Sequence, residues 1–318
     1  MQRALIIGCT GQDGSFLTKS LLEKGFEVVG TTRKTETYVE NHNLLGISKD
    51  IDLRTLDTCD FDSLKDLISK IAPEEIYYLA AQSSVGESFK YPGATIKSIC
   101  MGTATLLEAY KNSGIDSRLF FAGSGEIFGE TKGKASLNYP FQPMNPYAIS
   151  KITSQNLVDL YRNLYGIQAC TGILFNHESE LRTNNFVTQK IINGAVKAAH
   201  DKNFKLNLGN IDIVRDWGLA EEYIEAMQLI LKNDVIKNHI ICSGFKLSLK
   251  KFIEIAFRKV GLNWQDHINI NNNLIRPSDI KQNIGDPKNI FRDLGWKAKT
   301  YGENLVDRLI NYQLSRKV

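Results

Sequence analysis

The 318-residue chain has no apolar run of the roughly 20 residues that a membrane-spanning helix needs, so we do not expect a membrane protein. It has no block of basic residues, and its net charge of +4 is mild, so a nucleic-acid partner is not expected either. The five cysteines are scattered without a Cys-x-x-Cys pair, which predicts reduced thiols in a cytoplasmic protein and no metal site. The apolar run that begins directly after Met1-Gln2-Arg3 indicates that there is no signal peptide.

The first 30 residues have the pattern of a strand, a glycine-rich turn, a helix and a second strand. Residues 4–7 are a short apolar run, typical of a buried strand. Gly8, Gly11 and Gly14 follow at once, and residues 15–24 read as a helix. Glycines permit a tight turn that approaches a pyrophosphate, and a helix N-terminus offers amide donors to it. The pattern therefore predicts a dinucleotide site, with an ordinary glycine-rich turn as the alternative.

The residues after the second strand bear on which dinucleotide is bound. An acidic residue at this point suits the ribose 2′-hydroxyl of NAD, whereas an arginine suits the 2′-phosphate of NADP. Arg33, with Lys34 beside it, therefore favours NADP, while Glu36 is close enough to keep NAD as the alternative. Asp57 and Thr58, at the end of the third expected strand (52–58), are predicted to lie near the adenine edge.

Tyr147 and Lys151 form a Tyr-x-x-x-Lys pair, and Ser124 and Glu126 lie upstream of it. Residues four apart on a helix share a face, so we expect the Lys151 ammonium to lie near the Tyr147 phenol. A neighbouring positive charge lowers a tyrosine pKa from its ordinary value near 10. Such a tyrosine can take a proton from a sugar hydroxyl while hydride leaves the same carbon. Glu126 adds a second acid/base group, which a simple dehydrogenase does not need.

Strands and helices alternate as far as about residue 177, with further strands expected at 76–80, 119–122 and 169–175 and helices at 61–71, 94–113 and from Asn145 onwards. This alternation predicts an α/β fold: a Rossmann-type doubly wound parallel sheet with a smaller mixed α/β C-terminal lobe. We expect residues 1–177 to form the dinucleotide-binding domain, with later segments returning to it, and residues 178–318 mainly to bind substrate. Ligands of such sheets bind beyond the carboxyl ends of the strands. Residues 80–84, 123–126 and Asn176-His177 are expected at those ends.

Short motifs along nearly the whole chain carry a resemblance to a known family. They are T-G-Q-D-G-S at 10–15, L-A-A-Q-S at 79–83, S-G-E-I-F-G at 124–129, N-P-Y-A-I-S-K at 145–151, G-I-L-F-N-H-E-S at 172–179, F-V-T-Q-K-I-I at 186–192, L-G-N-I-D at 208–212, R-D-W-G at 215–218, R-P-S-D at 276–279 and G-D-P-K at 285–288. The chain resembles the extended short-chain dehydrogenases/reductases, and within them most closely the GDP-mannose 4,6-dehydratase family.

The resemblance implies a reaction and roles for four residues. Ser124 would hydrogen-bond the sugar 4-hydroxyl, Tyr147 and Lys151 would be the active-site pair, and Glu126 would act at C5 and C6. C4 is oxidised, water is eliminated across C5–C6 and hydride returns to C6, so that a GDP-linked sugar (GDP-mannose or a GDP-heptose) becomes a 4-keto-6-deoxy sugar. A nucleotide-sugar 4-epimerase or 4-ketosugar reductase remains the alternative, since neither needs a C5 base at Glu126. A non-enzymatic dinucleotide-binding protein is a third possibility.

The resemblance also completes the binding sites. The expected cofactor-binding residues are Gly8, Thr10, Gly11, Gln12, Asp13, Gly14, Arg33, Asp57, Thr58, Leu79, Ala80, Ala81, Tyr147, Lys151, Asn176, His177 and Arg182. The expected residues for the nucleotide-sugar substrate are Ser84, Ser124, Glu126, Tyr147, Asn176, Lys190, Gly209, Arg215 and Arg276. The resemblance implies a homodimer or homotetramer. Leu219 and Asp279 replace the family's usual histidine and glutamate, which keeps sugars other than GDP-mannose open.

Overall fold

The computed structural model describes residues 1–33 and 39–316. The strands are β1 (Arg3–Ile7), β2 (Glu27–Thr32), β3 (Asp52–Thr55), β4 (Glu75–Tyr78), β5 (Arg118–Ala122), β6 (Ala169–Leu174), β7 (Asn176–Glu178), β8 (Leu206–Leu208), β9 (Val214–Arg215), β10 (Trp217–Leu219), β11 (His239–Ile241), β12 (Leu247–Ser248), β13 (Ile268–Ile270) and β14 (Gln282–Asn283).

The helices are α1 (Gln12–Glu23), α2 (Glu40–Leu45), α3 (Phe61–Ile71), α4 (Val85–Lys90), α5 (Pro92–Ile96), α6 (Gly102–Ser113), α7 (Pro146–Tyr165), α8 (Val187–His200), α9 (Ala220–Lys232), α10 (Leu249–Lys259), α11 (Lys288–Leu294) and α12 (Gly302–Ser315). A π-helical segment, Lys97–Met101, joins α5 to α6, and a 3-10 turn spans Gly125–Phe128. Within the described ranges, no helix combines the length and apolar character needed to cross a membrane.

A seven-stranded sheet in the order β11-β6-β5-β4-β1-β2-β3 forms the centre of the fold. All of its strand pairs are parallel, as the alternation of strands and helices predicts. The chain adds β2 and β3 on one side of β1 and then returns to add β4, β5 and β6 on the other side. Doubly wound sheets bind their ligands at such a reversal of strand order. The predicted Rossmann-type fold is confirmed, and β11 shows that the C-terminal half adds an edge strand to the sheet.

The sheet is buried on both faces because its strands are apolar at successive positions. In β1, Ile6 belongs to the core on one face and Leu5 to the core on the other. The first core also contains Leu17 of α1 and Met227 of α9, and the second contains Leu64 of α3. Helices therefore cover both faces, which leaves the carboxyl ends of the strands as the open edge.

The C-terminal lobe has a core of its own, built from α8, α10 and α12. Its large buried side chains include Trp217, Phe252 and Phe257. Two small sheets tie this lobe to the site: β10 pairs with β7, directly after β6, and β9 pairs with β12 and β14. The R-D-W-G motif thus supplies β9 and β10, which the sequence pattern did not predict as strands.

Several boundaries differ from expectation for local reasons. Helix α1 begins at Gln12 rather than at residue 15, because Gly11 has extended backbone and its carbonyl accepts the first helical bond from Ser15 N. Strand β3 ends at Thr55 rather than 58, where Asp57 accepts a hydrogen bond from Cys59 N in a turn. The helix expected over 94–113 starts at Pro92, and a π segment interrupts its regular turns.

Candidate active site

Two adjoining cavities lie at the carboxyl edge of the sheet. The one around the glycine turn, here the glycine cavity, is lined by the predicted residues Gly8, Thr10, Gly11, Gln12, Asp13, Gly14, Arg33, Thr58, Leu79, Ala80, Ala81 and Arg182. The one around Tyr147, the tyrosine cavity, is lined by the predicted residues Ser84, Ser124, Glu126, Tyr147, Lys151, Asn176, His177, Arg215 and Arg276. Asp13, Leu79 and Arg182 line both, so a ligand spanning the two would pass these residues.

The glycine turn has the shape that a dinucleotide pyrophosphate requires. Gly8 has a φ of +93°, and a Cβ there would lie 2.7 Å from Ala80 N. A Cβ on Gly14 would lie 2.4 Å from Gly8 O, so only glycine lets α1 pack this closely on the turn. A Cβ on Gly11 would meet only Gly8 O, at 3.7 Å, and the turn is open towards the cavity at this point. The open backbone and the N-terminus of α1 fit a nicotinamide dinucleotide.

A largely buried ion pair joins the first turn of α1, which follows the glycine turn, to β7. His177 Nε2 lies 2.8 Å from Asp13 Oδ2, and His177 Nδ1 lies 2.7 Å from Phe175 O. Burial opposes charge on both groups, but their mutual attraction and hydrogen bonding prevail. The pKa of Asp13 is lowered to about 2 and that of His177 is raised. Since both imidazole nitrogens face acceptors, the pair fixes His177 as a double donor between the two cavities.

Tyr147 and Lys151 lie on one face of α7, but the expected pKa effect is wrong. Lys151 Nζ donates to Ala122 O at 2.7 Å and lies 5.7 Å from the centre of the Tyr147 ring. Burial raises the pKa of Tyr147 to about 12, opposed by a hydrogen bond with Ser124, and burial lowers the pKa of Lys151 to about 8. Desolvation of the phenol therefore outweighs the groups that favour its charged form, Ser124 and Arg182, and the resting tyrosine carries its proton.

Ser124 and Glu126 are held at the end of β5 by the 3-10 turn. Ser124 Oγ accepts a hydrogen bond from Glu126 N at 3.3 Å, which caps the turn. Glu126 Oε2 accepts a hydrogen bond from Asn145 Nδ2 at 3.0 Å. The turn thus brings the predicted Ser124 and Glu126 to the cavity wall that also carries Tyr147. The sequence places Asn145 only at the start of α7, so its contact with Glu126 was missed.

Arg215 enters the tyrosine cavity from the C-terminal lobe. Its side chain is buried, and its Nη1 donates to Ile280 O at 2.7 Å. Burial lowers the pKa of Arg215, while the charges of Glu126 and Asp279 oppose that shift and Arg276 adds to it. The two predicted arginines and the predicted glutamate therefore share one electrostatic environment. This arrangement suits an anionic ligand, because a guanidinium binds phosphate oxygens in pairs.

Some predicted residues lie outside both cavity walls, and their binding roles stay predictions. They are Asp57, Lys190 and Gly209. Lys190 is exposed on α8, and a Cβ on Gly209 would lie 2.6 Å from Leu274 O, which gives this glycine a packing role. Leu219 is buried in the lobe core and does not line either cavity, so its replacement of histidine does not itself reshape the wall. Lys34 and Glu36 lie outside the described residues.

Asn283 is a wall residue that sequence reasoning missed. It lies on β14, buried, and its Nδ2 donates to Gly125 O at 3.0 Å and to Gly129 O at 2.8 Å. These bonds attach the turn that carries Glu126 to the C-terminal lobe. A lone asparagine in a two-residue strand gives no local signal, because its partners are more than 150 residues away.

Comparison with known proteins agrees with this geometry. A family profile described as GDP-mannose 4,6 dehydratase matches residues 5–309. GDP-mannose 4,6 dehydratase 1 of Arabidopsis thaliana is 40% identical, covering 98% of this chain and 89% of its own. GDP-mannose 4,6-dehydratase of Vibrio cholerae is 32% identical, with 98% and 94% covered.

Solved structures share the fold at lower identity. DesIV of Streptomyces venezuelae, a dTDP-glucose 4,6-dehydratase with NAD bound, superposes with a TM-score of 0.88 at 20% identity over 99% of this chain and 98% of its own. UDP-glucose 4-epimerase of Thermotoga maritima superposes with a TM-score of 0.88 at 19% identity over 99% of both chains. The fold is thus common to dehydratases and epimerases, whereas the motifs and the full-length similarity are specific. The chain belongs to the GDP-mannose 4,6-dehydratase family.

Proposed function

We propose that the protein is a GDP-sugar 4,6-dehydratase, a hydro-lyase that acts on GDP-mannose or a GDP-heptose. The observation that carries the proposal is the position of Glu126. It lies on the wall of the same cavity as Ser124, Tyr147 and Lys151, where a hydrogen bond from Asn145 holds its carboxylate. Oxidation at C4 needs only the tyrosine and lysine. A second base beside them serves removal of a proton from C5, which epimerases and ketosugar reductases do not need at this place.

The chain's residues would carry out four proton transfers in the reaction. A nicotinamide dinucleotide held by the lining of the glycine cavity, including Gly8, Gly11 and Arg33, would supply the hydride chemistry that the reaction needs at C4 and C6 of the sugar. Tyr147, which carries its proton at rest, would first release it to solvent and then, as the phenolate in hydrogen-bond contact with Ser124, take the O4 proton to give the 4-ketone. Glu126 would remove the acidified C5 proton and deliver a proton to the C6 hydroxyl as it leaves as water. C5 would regain a proton from Tyr147, which thereby passes on the proton it took from O4, as hydride reaches C6, so the net change is loss of one water.

The first test is product analysis by mass spectrometry. Purified protein would be incubated separately with GDP-mannose, a GDP-heptose, and UDP-, dTDP- and CDP-glucose. We expect one GDP-sugar to lose one water, without net change in the redox state of the dinucleotide. Loss of water from a UDP-, dTDP- or CDP-sugar alone would overturn the GDP assignment. Isomerisation at constant mass would identify an epimerase, and consumption of reduced dinucleotide only with a keto-sugar would identify a reductase.

The dinucleotide is, on this proposal, NADP rather than NAD. Arg33 follows β2, is exposed and lines the glycine cavity, where a guanidinium can bind a 2′-phosphate in paired hydrogen bonds. We expect Arg33→Ala to weaken NADP binding by about 10-fold or more, the effect of losing a charged hydrogen bond, and to change NAD binding little. Calorimetric titration with both dinucleotides would measure this. Equal losses of affinity for NADP and NAD would show that Arg33 does not recognise the 2′-phosphate.

We also propose that the protein works in the cytoplasm as a homodimer or homotetramer. All five cysteines are free, which suits a reducing compartment. Helix α7 exposes Ile149, Leu160 and Leu164, and Ile96 and Met101 are exposed on the neighbouring α5 and π segment. Several exposed apolar side chains on neighbouring elements are typical of protein interfaces. Self-association would bury them.

A further inference from the structure

Asn145 has two partners that lie in opposite directions from its amide group. Its Oδ1 accepts a hydrogen bond from Ala148 N at 2.8 Å, which makes it the N-cap of α7. Its Nδ2 donates to Glu126 Oε2 at 3.0 Å. The side chain is 4% exposed, so water does not compete for these contacts. Because Ala148 N can only donate, the cap fixes which end of the amide points at the carboxylate.

We propose that Asn145 is a positioning residue for the C5 proton transfer, an inference that rests on the proposed dehydratase function. The cap on α7 orients the Asn145 amide, and the amide in turn holds one oxygen of Glu126. With Oε2 engaged, Oε1 is the oxygen that takes the C5 proton. The same helix carries Tyr147 two residues later. One cap therefore fixes the position of Tyr147, the base at C4, relative to Glu126, the base at C5.

The physical basis is that proton transfer depends steeply on geometry. A general base must lie within hydrogen-bond reach of the proton it removes, and a misplacement of about 1 Å can cost on the order of 100-fold in rate. A glutamate has several rotatable bonds, so one fixed oxygen removes much of that freedom. Asn145 does not line the tyrosine cavity, and it therefore acts through Glu126 rather than on the sugar.

The chain permits the cap to be separated from the donor. Serine and aspartate cap helices about as well as asparagine. Asn145→Ser keeps the cap and removes the donor to Glu126, whereas Asn145→Asp keeps the cap and sets a second carboxylate against Glu126. Asn263→Ser is the control for the loss of an asparagine N-cap, because Asn263 caps the 3-10 turn Trp264–Asp266 with its side chain but lines neither cavity. Glu126→Gln defines the effect of losing the base itself.

The readout is how far the reaction proceeds on GDP-mannose. Hydride transfer from C4 precedes loss of the C5 proton, so a fault at Glu126 leaves reduced dinucleotide accumulated on the enzyme. We expect Asn145→Ser to lower kcat by about 10- to 100-fold with KM changed less than about 3-fold, and to raise the absorbance of reduced nicotinamide during turnover. Asn145→Asp should lower kcat and raise this absorbance further than Asn145→Ser does. Asn263→Ser should match wild type.

The double variant Asn145→Ser/Glu126→Gln decides between positioning and a separate effect. If Asn145 acts through Glu126, the double variant should be no slower than Glu126→Gln alone. Additive losses would overturn the proposal, as would a loss of hydride transfer in step with turnover. Wild-type kcat in both Asn145 variants would also overturn it. Failure of wild type to dehydrate any GDP-sugar would instead contradict the proposed function, so the two failures are distinguishable.

Discussion

At the residue scale, burial rather than pairing sets the protonation of the two active-site groups on α7. Lys151 is 5% exposed and has one hydrogen-bond acceptor, Ala122 O. Its ammonium lies 5.7 Å from the centre of the Tyr147 ring, and desolvation of the phenol is the largest influence on the pKa of Tyr147. The site therefore holds a protonated tyrosine beside a lysine that is easily deprotonated. Such a pair costs stability, which is common at sites built for catalysis.

This cost predicts that the difference in the free energy of unfolding between wild type and Lys151→Met depends on pH. Burial depresses the pKa of Lys151 from 10.5 to about 8, so the penalty is complete below pH 8, where the ammonium is charged. Between pH 8 and pH 10.5, Lys151 loses its proton in the folded protein but keeps it in the unfolded chain. The free energy of unfolding of wild type therefore rises relative to that of the variant. We expect a gain on the order of 3 kcal/mol by pH 10.5.

Urea unfolding at a series of pH values from 7 upwards would measure that gain. Lys70→Met is the control, because Lys70 is 72% exposed and its replacement should leave the difference from wild type independent of pH. A constant difference for Lys151→Met would mean that the lysine is not desolvated. A difference that moves in the variant's favour as pH rises would give the opposite sign and contradict the burial argument.

Residue identities at the site were predictable where the chemistry is local. Ser124, Glu126, Tyr147 and Lys151 fall in two short motifs, and all four line one cavity. The pKa of Tyr147 was not predictable, because it depends on burial by elements distant in the sequence. Asn145 and Asn283 were missed for the same reason: each polar contact joins residues that only the fold brings together.

At the scale of elements, β14 links the two halves of the candidate active site. It pairs with β9, which carries Arg215, and its Asn283 donates to both ends of the 3-10 turn that carries Glu126. A shift of the lobe would therefore move Arg215 and Glu126 together. The periodicity of the sequence could not reveal β9, β10 or β14, because strands of two or three residues are too short to show alternation.

Asn283→Ala should disturb both stability and turnover. Two buried carbonyls would lose their donor, which costs about 1–3 kcal/mol, and the turn that carries Glu126 would lose its attachment, which should lower kcat by about 10-fold or more. Gln282→Ala is the matched control on the same strand. Gln282 donates to Thr131 O outside the catalytic turn, so its loss should lower the unfolding midpoint but leave kcat unchanged. Equal kcat effects in the two variants would contradict a specific link.

At the scale of the whole molecule, the fold class followed from patterns that repeat along the chain. Apolar strands that alternate with helices fixed the parallel sheet, and all six of its first strands were expected near their observed positions. The strand β11 was not predicted, since a three-residue apolar strand resembles many other segments. Its place is decided by pairing with β6, a contact that depends on the rest of the fold.

The exposed face of α7 predicts how whole molecules associate. Ile149, Leu160 and Leu164 are 49%, 47% and 65% exposed, and their spacing of eleven and four residues places them on one side of the helix. We expect wild type to sediment as a dimer or tetramer, and Leu160→Glu with Leu164→Glu to give a smaller species, because carboxylates resist burial in an apolar contact.

Leu229→Glu provides the comparison for that experiment. Leu229 is 39% exposed on α9, a helix that covers the face of the sheet opposite α7, so its substitution should leave the sedimentation coefficient unchanged. A monomeric wild type would rule out self-association, and an unchanged assembly in the α7 variant would assign it to another surface. A tetramer that falls to a dimer would show that the α7 face is one of two interfaces, whereas a fall to monomer would make it the interface on which the assembly depends.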